Sequence, residues 1–261
     1  MSNVFLRHVR IFAFLALITI TITAVANESS STSPANPALT TFNSAITFYA
    51  SFDGHATADL SIGKGTPTGN AQNLEWKPGV WGQALQGRNV NLLYDAKDNI
   101  GLLRSGSLIV WIAPSADWTD ADDPIQLSFA TIRDQGNSLS LARQGGKNNA
   151  QALMAIYGPS TGDAATRALV KNGGTTHWKS GEWHLLAMNW SKGYVELSVD
   201  GNRFNKGISP APDAPPTDDK NEYIALAGRS TEKSPYLMDE LMILNRPLTN
   251  DEVKVLFQSK P

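Results

Sequence analysis

The stretch EWHLLAMNWSKGYVELSVDG, residues 182–201, decides the fold. Glu182–Trp190 and Gly193–Val199 are two strand-like runs separated by the polar stop Ser191-Lys192-Gly193. In the second run Val195, Leu197 and Val199 alternate with Tyr194, Glu196 and Ser198. Successive side chains of a strand point to opposite faces, so this period of two describes a strand with one buried and one wet face. Asp200-Gly201 then closes the strand with residues that tolerate a left-handed backbone.

The same grammar extends in both directions. Ala45–Phe52, Ala152–Tyr157, Tyr223–Ala227 and Tyr236–Leu244 are short apolar runs bounded by turn residues. Gly106–Ile112 is continuously apolar and ends at Pro114, as expected of a central strand covered on both faces. Ile125–Arg133 and Ser138–Arg143 are joined by Asp134-Gln135-Gly136-Asn137, a hairpin signal. One short helix is expected near the C-terminus. Thr249-Asn250-Asp251-Glu252 is a capping box, and Val253, Leu256 and Phe257 supply its apolar face. Pro210–Asp219 is polar and Pro-rich and reads as a surface loop. The expectation is an all-β chain: an antiparallel two-sheet β-sandwich with one short C-terminal helix.

At the N-terminus Arg7, His8 and Arg10 precede an uncharged, mostly apolar run from Ile11 to Val25, followed by Ala24-Val25-Ala26. A basic segment, an apolar core and an A-x-A site in that order describe a cleavable export signal, residues 1–26, and a secreted or periplasmic protein with no membrane insertion after cleavage. Residues 27–41 are rich in Ser, Thr, Pro and Asn and read as a disordered linker. The folded domain is expected over 42–257, with a tail at 258–261. Without Arg7 and Arg10 the chain carries 20 basic against 24 acidic residues, a balance of −4. That argues against a nucleic-acid partner, which needs a basic surface. The chain has no cysteine, so it is held by its core and, at most, by an oxygen-ligated metal.

Four segments carry a resemblance. They are Phe52-Asp53-Gly54; Gly79-Val80-Trp81-Gly82-Gln83-Ala84-Leu85; Glu182-Trp183-His184 through Val199-Asp200-Gly201; and Met238-Asp239-Glu240-Leu241 through Arg246-Pro247-Leu248-Thr249. In this order they resemble the laminin-G-like jelly-roll family of the concanavalin A-like lectin/glucanase superfamily, over about Phe42 to Phe257. The resemblance implies a jelly roll that binds sugars, proteins or calcium; some relatives are hydrolases or lyases. A fold of this kind does not fix a function.

Catalytic signals are sparse. A glycosidase needs two carboxylates flanking the bond, and no Glu-x-Asp-x-x-Glu spacing occurs. Asp239 and Glu240 are adjacent, so in a regular strand they point to opposite faces. Asp120, Asp122 and Asp123 read as a solvated turn. His55, His177 and His184 have no serine in a Gly-x-Ser-x-Gly elbow to serve.

For a metal, Asp53 ends the first strand and Asp239 lies in the last. In this fold the terminal strands can be neighbours, and carboxylate and carbonyl oxygens suit Ca2+. Relatives often carry a metal near this position, so the resemblance adds a structural calcium ion shared by Asp53 and Asp239. Trp111, Trp183 and Trp190 read as core, and Trp76 and Trp81 as packing around the glycine turn. Trp118 and Trp178 stand in polar surroundings, DWTD and THWKS, and are the expected exposed platforms for a sugar ring. The reading is an exported non-catalytic binding module, partnered by a glycan or polysaccharide. The alternatives are a protein-interaction or envelope scaffold domain, and a polysaccharide-active hydrolase or lyase.

Overall fold

The computed structural model describes residues 36–70, 74–87, 90–118, 127–144, 152–173, 177–211, 221–227 and 236–261. Residues 1–26, read above as an export signal, residues 27–35 of the expected linker, Asp120, Asp122, Asp123 and most of the Pro-rich loop lie outside these residues. In chain order the strands are β1 (Ile46–Ala50), β2 (Leu60–Ser61), β3 (Thr68–Asn70), β4 (Trp76–Pro78), β5 (Gln83–Gln86), β6 (Asn91–Tyr94), β7 (Gly106–Pro114), β8 (Leu127–Asp134), β9 (Asn137–Arg143), β10 (Leu153–Pro159), β11 (Ala168–Asn172), β12 (His184–Ser191), β13 (Tyr194–Val199), β14 (Asn205–Ile208), β15 (Tyr223–Leu226) and β16 (Tyr236–Leu244). Helix α1 spans Pro37–Thr41 and α2 spans Asn250–Gln258.

The strands form two antiparallel sheets. One runs β14-β13-β12-β7-β16-β1-β2, with β5 also paired to β16 and β4 to β5. The other runs β11-β10-β9-β8-β15-β6-β3. The fold-deciding stretch is the β12–β13 hairpin, with Leu186 opposite Val199 and Ser191 opposite Tyr194. Asp200 and Gly201 close it with φ of 54° and 68°. The Asp134–Asn137 turn joins β8 to β9, with Gln135 and Gly136 at φ of 47° and 74°. The first and last strands are neighbours, Phe48 opposite Ile243 and Ala50 opposite Leu241.

Two apolar layers result. Between the sheets lie Phe48, Val110, Phe129, Leu141, Leu186 and Trp190. Outside the first sheet a second layer joins Ile109, Trp111, Leu185 and Met242 to Val253 and Leu256 of α2. Central β7 therefore contributes alternate residues to both layers and is buried along its whole length, which is why its sequence is a run rather than an alternation. The capping box of α2 is formed in both directions: Thr249 Oγ1 accepts from Glu252 N–H and Glu252 Oε2 accepts from Thr249 N–H. Arg246 grips Glu252 bidentately at 2.7 and 3.0 Å and holds its carboxyl below the usual range.

The linker boundary differs from the expected one. Asn36 caps α1, its Oδ1 accepting from Ala38 N–H at 2.9 Å, while its Nδ2 donates to Glu240. Ala38 and Phe42 are buried in the outer layer. Composition over a window of fifteen residues hides this, because two buried apolar side chains and one cap suffice to dock a single turn. A chain beginning at Phe42 is expected to unfold about 2 kcal/mol more easily than one beginning at Ser33, since it leaves the buried Glu240 carboxylate without one partner. Equal urea midpoints for the two chains would return the boundary to residue 42.

Candidate functional site

Strand β16 carries the feature on which the site is built. Asp239 pairs with Trp111 and Met242 with Ile109, so three steps on β16 oppose two on β7. The extra residue is a β-bulge, with Glu240 in the left-handed region at φ 55°. Met238 and Leu241 face the inter-sheet core. Asp239 and Glu240 both turn to the outer side, where their partners lie. This corrects the expectation that the two point to opposite faces: the bulge breaks strict alternation at this one position.

The turn between β4 and β5 packs directly over Asp239. Its Oδ2 accepts from the N–H groups of Val80 at 2.7 Å and Trp81 at 3.3 Å. From the other side of the same turn, Asp53 Oδ1 accepts from Gln83 N–H at 2.6 Å. A Cβ on Gly79 would sit 2.5 Å from Asp239 Oδ2, and one on Gly82 would overlap Asp53 Oδ1. The two glycines of GVWG thus let the main chain close onto two carboxylates, and Gly82 also takes φ 62°. The structure brings the two expected metal residues, Asp53 and Asp239, to one turn.

Asp239 and Glu240 are 0% and 2% exposed. Glu240 Oε2 accepts from Asn36 Nδ2 and from the Tyr49 hydroxyl at 2.9 Å, and Asp239 Oδ1 has no hydrogen-bond partner among the described residues. Burial pushes the Asp239 carboxyl up to about 9, helped by the negative charges of Glu240 and Asp53 and opposed by the two N–H groups. Burial likewise raises Glu240 to about 7, against the pull of Asn36 and Tyr49. No Lys or Arg forms an ion pair with either carboxylate among the described residues. A cation here would relieve both desolvated charges. Among the described residues no group of three or more His, Cys, Asp or Glu side chains is arranged to hold a metal.

The expected sugar platforms are elsewhere. Trp118 and Trp178 are 3% and 8% exposed and stack on each other, with centroids 5.3 Å apart. Trp178 also stacks on His184 at 3.6 Å, and Arg143 covers Trp118 at 4.4 Å. The polar neighbours that suggested exposure bond to one another instead. Asp117 accepts from Ser180 N–H at 2.8 Å and pairs with Lys179 at 3.2 Å, while Trp118 N–H donates to the Trp178 carbonyl. Two zipped loops turn their charged residues out and their tryptophans in. Trp111, Trp190 and Trp81 are buried, and Trp183 and Trp76 are half-buried.

Trp76, read as packing around the glycine turn, is half-buried and packs against the inter-sheet core. It stands on β4, immediately before the carboxylate-clamped turn, and walls an open trough of about 510 Å3 with Gly54, His55, Thr57 and Thr66. Its exposed flanking pair, Glu75 and Lys77, joins across 3.7 Å. LEWKP is as polar a setting as DWTD or THWKS, so local composition could not rank the three. What separates them is the edge position of β4, a three-residue strand that among the described residues pairs only with β5.

An antiparallel two-sheet jelly roll, with a bulged last strand clamping a glycine turn, defines a class. The sequence signature of the Concanavalin A-like lectin/glucanases superfamily matches residues 91–254, and the chain belongs to this superfamily. The match spans the hairpin and closing-strand motifs; the Phe52–Gly54 and Gly79–Leu85 motifs lie ahead of it. No curated protein matches the chain in sequence. Among solved structures, the botulinum neurotoxin serotype D ligand-binding domain in complex with N-acetylneuraminic acid superposes with a TM-score of 0.63 at 13% identity, over 85% of this chain and 53% of its own. The binding domain of Paraclostridial Mosquitocidal Protein 1 gives 0.61 at 14% identity, over 83% and 52%. Our chain thus spans about half the length of these two. Domain 4 of AbnA, an extracellular arabinanase from Geobacillus stearothermophilus, in complex with arabinotriose, gives 0.55 at 22% identity, over 82% of this chain and all of its own.

Proposed function

We propose that this chain is an exported, non-catalytic carbohydrate-binding module whose Gly79–Gln83 turn is organised by a structural calcium ion. The observation that carries the reading is the Trp76 trough. Trp76, Thr57, Thr66 and His55 line an open surface beside a turn clamped by two carboxylates. Sugar rings pack their C–H faces on aromatic side chains while hydroxyls and imidazoles fix their orientation. Solved structures of the same fold, in complex with N-acetylneuraminic acid and arabinotriose, support this ligand class. Export rests on the residue 1–26 pattern.

Asp53 and Asp239 would hold the calcium. The orphaned Asp239 Oδ1 and the unpaired buried charge fit a cation, and calcium takes about 6–8 oxygens, so main-chain carbonyls and water would complete the shell. The ion would fix the turn that carries Trp76 at one end. The chain's own residues do the rest: Gly79 and Gly82 admit the carboxylates, and His55 is held at both ring nitrogens, Nδ1 2.9 Å from the Thr57 carbonyl oxygen and Nε2 3.5 Å from Asp59 Oδ1.

Titration calorimetry with arabinotriose and with N-acetylneuraminic acid tests the sugar reading. Trp76→Ala is expected to weaken whichever sugar binds by about tenfold or more, the loss of one aromatic contact area. Trp76→Phe should recover part of the affinity. Binding unaffected by both substitutions would remove the trough as the site.

A further inference from the structure

A second, larger cleft lies at the opposite end of the sandwich, where β1 begins and β16 ends, and the reading above does not use it. Its volume is about 720 Å3, within the range of small-ligand sites. Its floor includes Ile243 and Trp190, and its rim includes the exposed Ile62. Trp190 is 1% exposed, and its indole Nε1 has no acceptor among the described residues.

The walls are held rigidly. Buried Asn99 accepts from Gly63 N–H at 2.8 Å and donates to the carbonyls of Lys64 and Asp95. The Thr47 hydroxyl donates to the Asn99 carbonyl at 2.7 Å. Asp134 Oδ2 accepts from Leu102 N–H at 2.7 Å, and the Tyr157 hydroxyl donates to the Leu102 carbonyl at 2.6 Å. The loop over residues 95–105 is therefore tied to both sheets before any ligand arrives. Two lining residues, Asp98 and Gln135, hold left-handed backbones at φ 64° and 47°, a conformation that non-glycine residues adopt at a cost. Gln135 belongs to the hairpin turn, and Asp98 sits in a turn whose next residue is the Asn99 anchor.

The rim carries Lys97 and Arg104 opposite in sign to Asp98 and Glu222. All four are exposed, and none has a side-chain hydrogen bond or ion pair among the described residues. The rim sets two cations beside two anions, and the buried Asp134 carboxylate stands in the wall behind them, so strong donors and strong acceptors lie side by side. An anionic ligand would meet the two carboxylates, and a cationic one the ammonium and guanidinium. A neutral polyol meets neither obstacle. Each hydroxyl can donate to a carboxylate and accept from a cation, and its C–H face suits Ile62 and the apolar floor.

We infer that this cleft is a second saccharide site, taking the neutral end of a glycan. It rests on the carbohydrate-binding reading above, so its test separates the two. The indole N–H resonances of Trp190 and Trp76 in 15N-labelled protein report the two sites independently. Titration with arabinotriose, cellotriose and mannotriose is expected to shift Trp190 Nε1–H with at least one of them. Arg104→Ala and Glu222→Gln should each weaken that response by about tenfold while leaving the Trp76 response and the melting temperature unchanged. A shift at Trp76 alone, or a Trp190 shift indifferent to both substitutions, overturns the second site and leaves the carbohydrate reading standing. Silence at both indoles across all sugars overturns both. A Trp190 shift with N-acetylneuraminic acid but with no neutral sugar overturns the assignment of a neutral ligand.

Discussion

Trp190→Ala is expected to destabilise the domain by about 3–5 kcal/mol, a large share of the roughly 5–15 kcal/mol that holds a typical domain together. Trp190 closes β12 opposite Val195 and Gly106. Its six-membered ring lies against the bare backbone of Gly106, where a Cβ would overlap it. Backbone in a central strand cannot move in to fill the void, so the cavity cost adds to the lost burial. Trp183→Ala offers the comparison. Trp183 opens the same hairpin but is half-buried, so its loss should cost about 1–2 kcal/mol by exposed-area reasoning. Urea unfolding monitored by circular dichroism would resolve the two, since the difference exceeds the extrapolation error. Equal midpoints for the two variants would mean that the hairpin's register, and with it the inward face of β12, is misassigned.

The contrast between these tryptophans also shows what could be read in advance. The strands, the two hairpin turns and the α2 capping box are local devices, written in residues within about ten positions of one another. Strands β1, β8–β10, β12, β13, β15 and β16, the turns and the cap were legible, as was the continuous apolar run of β7; the shorter β2, β3, β4, β6, β11 and β14 were passed over. The pairing of first and last strands followed from the resemblance, and with it the meeting of Asp53 and Asp239 at one turn.

Three features were not legible, each for the same physical reason: the partner lies far along the chain. Trp118 is buried by Trp178 and Arg143, and the Asp117–Lys179 pair that screens it links residues 62 positions apart. Asn36 docks on Glu240 across 204 positions. The bulge at Glu240 is set by its seat between β7, β1 and the 79–83 turn. Nothing inside YLMDELMIL marks where alternation slips, because leucine and methionine serve either face equally well.

On the calcium reading proposed above, chelator is expected to lower the melting temperature, and to do so far more at alkaline than at acid pH. The sign follows from the carboxylates. Asp239 and Glu240 have their protons held more tightly in the folded than in the unfolded chain, at about 9 and about 7 against ordinary values near 4. A raised acid pKa stabilises the metal-free fold fully below the unfolded value, and that stability is lost as pH rises toward the folded value. In chelator, stability should therefore fall from about pH 4 to pH 9. A cation replaces the protons, so calcium contributes most where the protons have left. With calcium about 100-fold above its Kd, the stabilisation is about 2.7 kcal/mol, or roughly 5–10 °C for a domain of this size. At pH 8 chelator should lower the melting temperature by that amount, and calcium should restore it better than magnesium, which prefers a rigid octahedral shell. At pH 5 the same additions should do little. Asp239→Asn separates charge from structure. The amide oxygen can still accept from Val80 and Trp81, so the turn stays clamped. The calcium response should vanish and the metal-free pH dependence should flatten. If wild type melts identically with and without chelator at pH 8, Asp53 and Asp239 act as hydrogen-bond acceptors for the turn alone, and Asp239 keeps its proton in place of a metal.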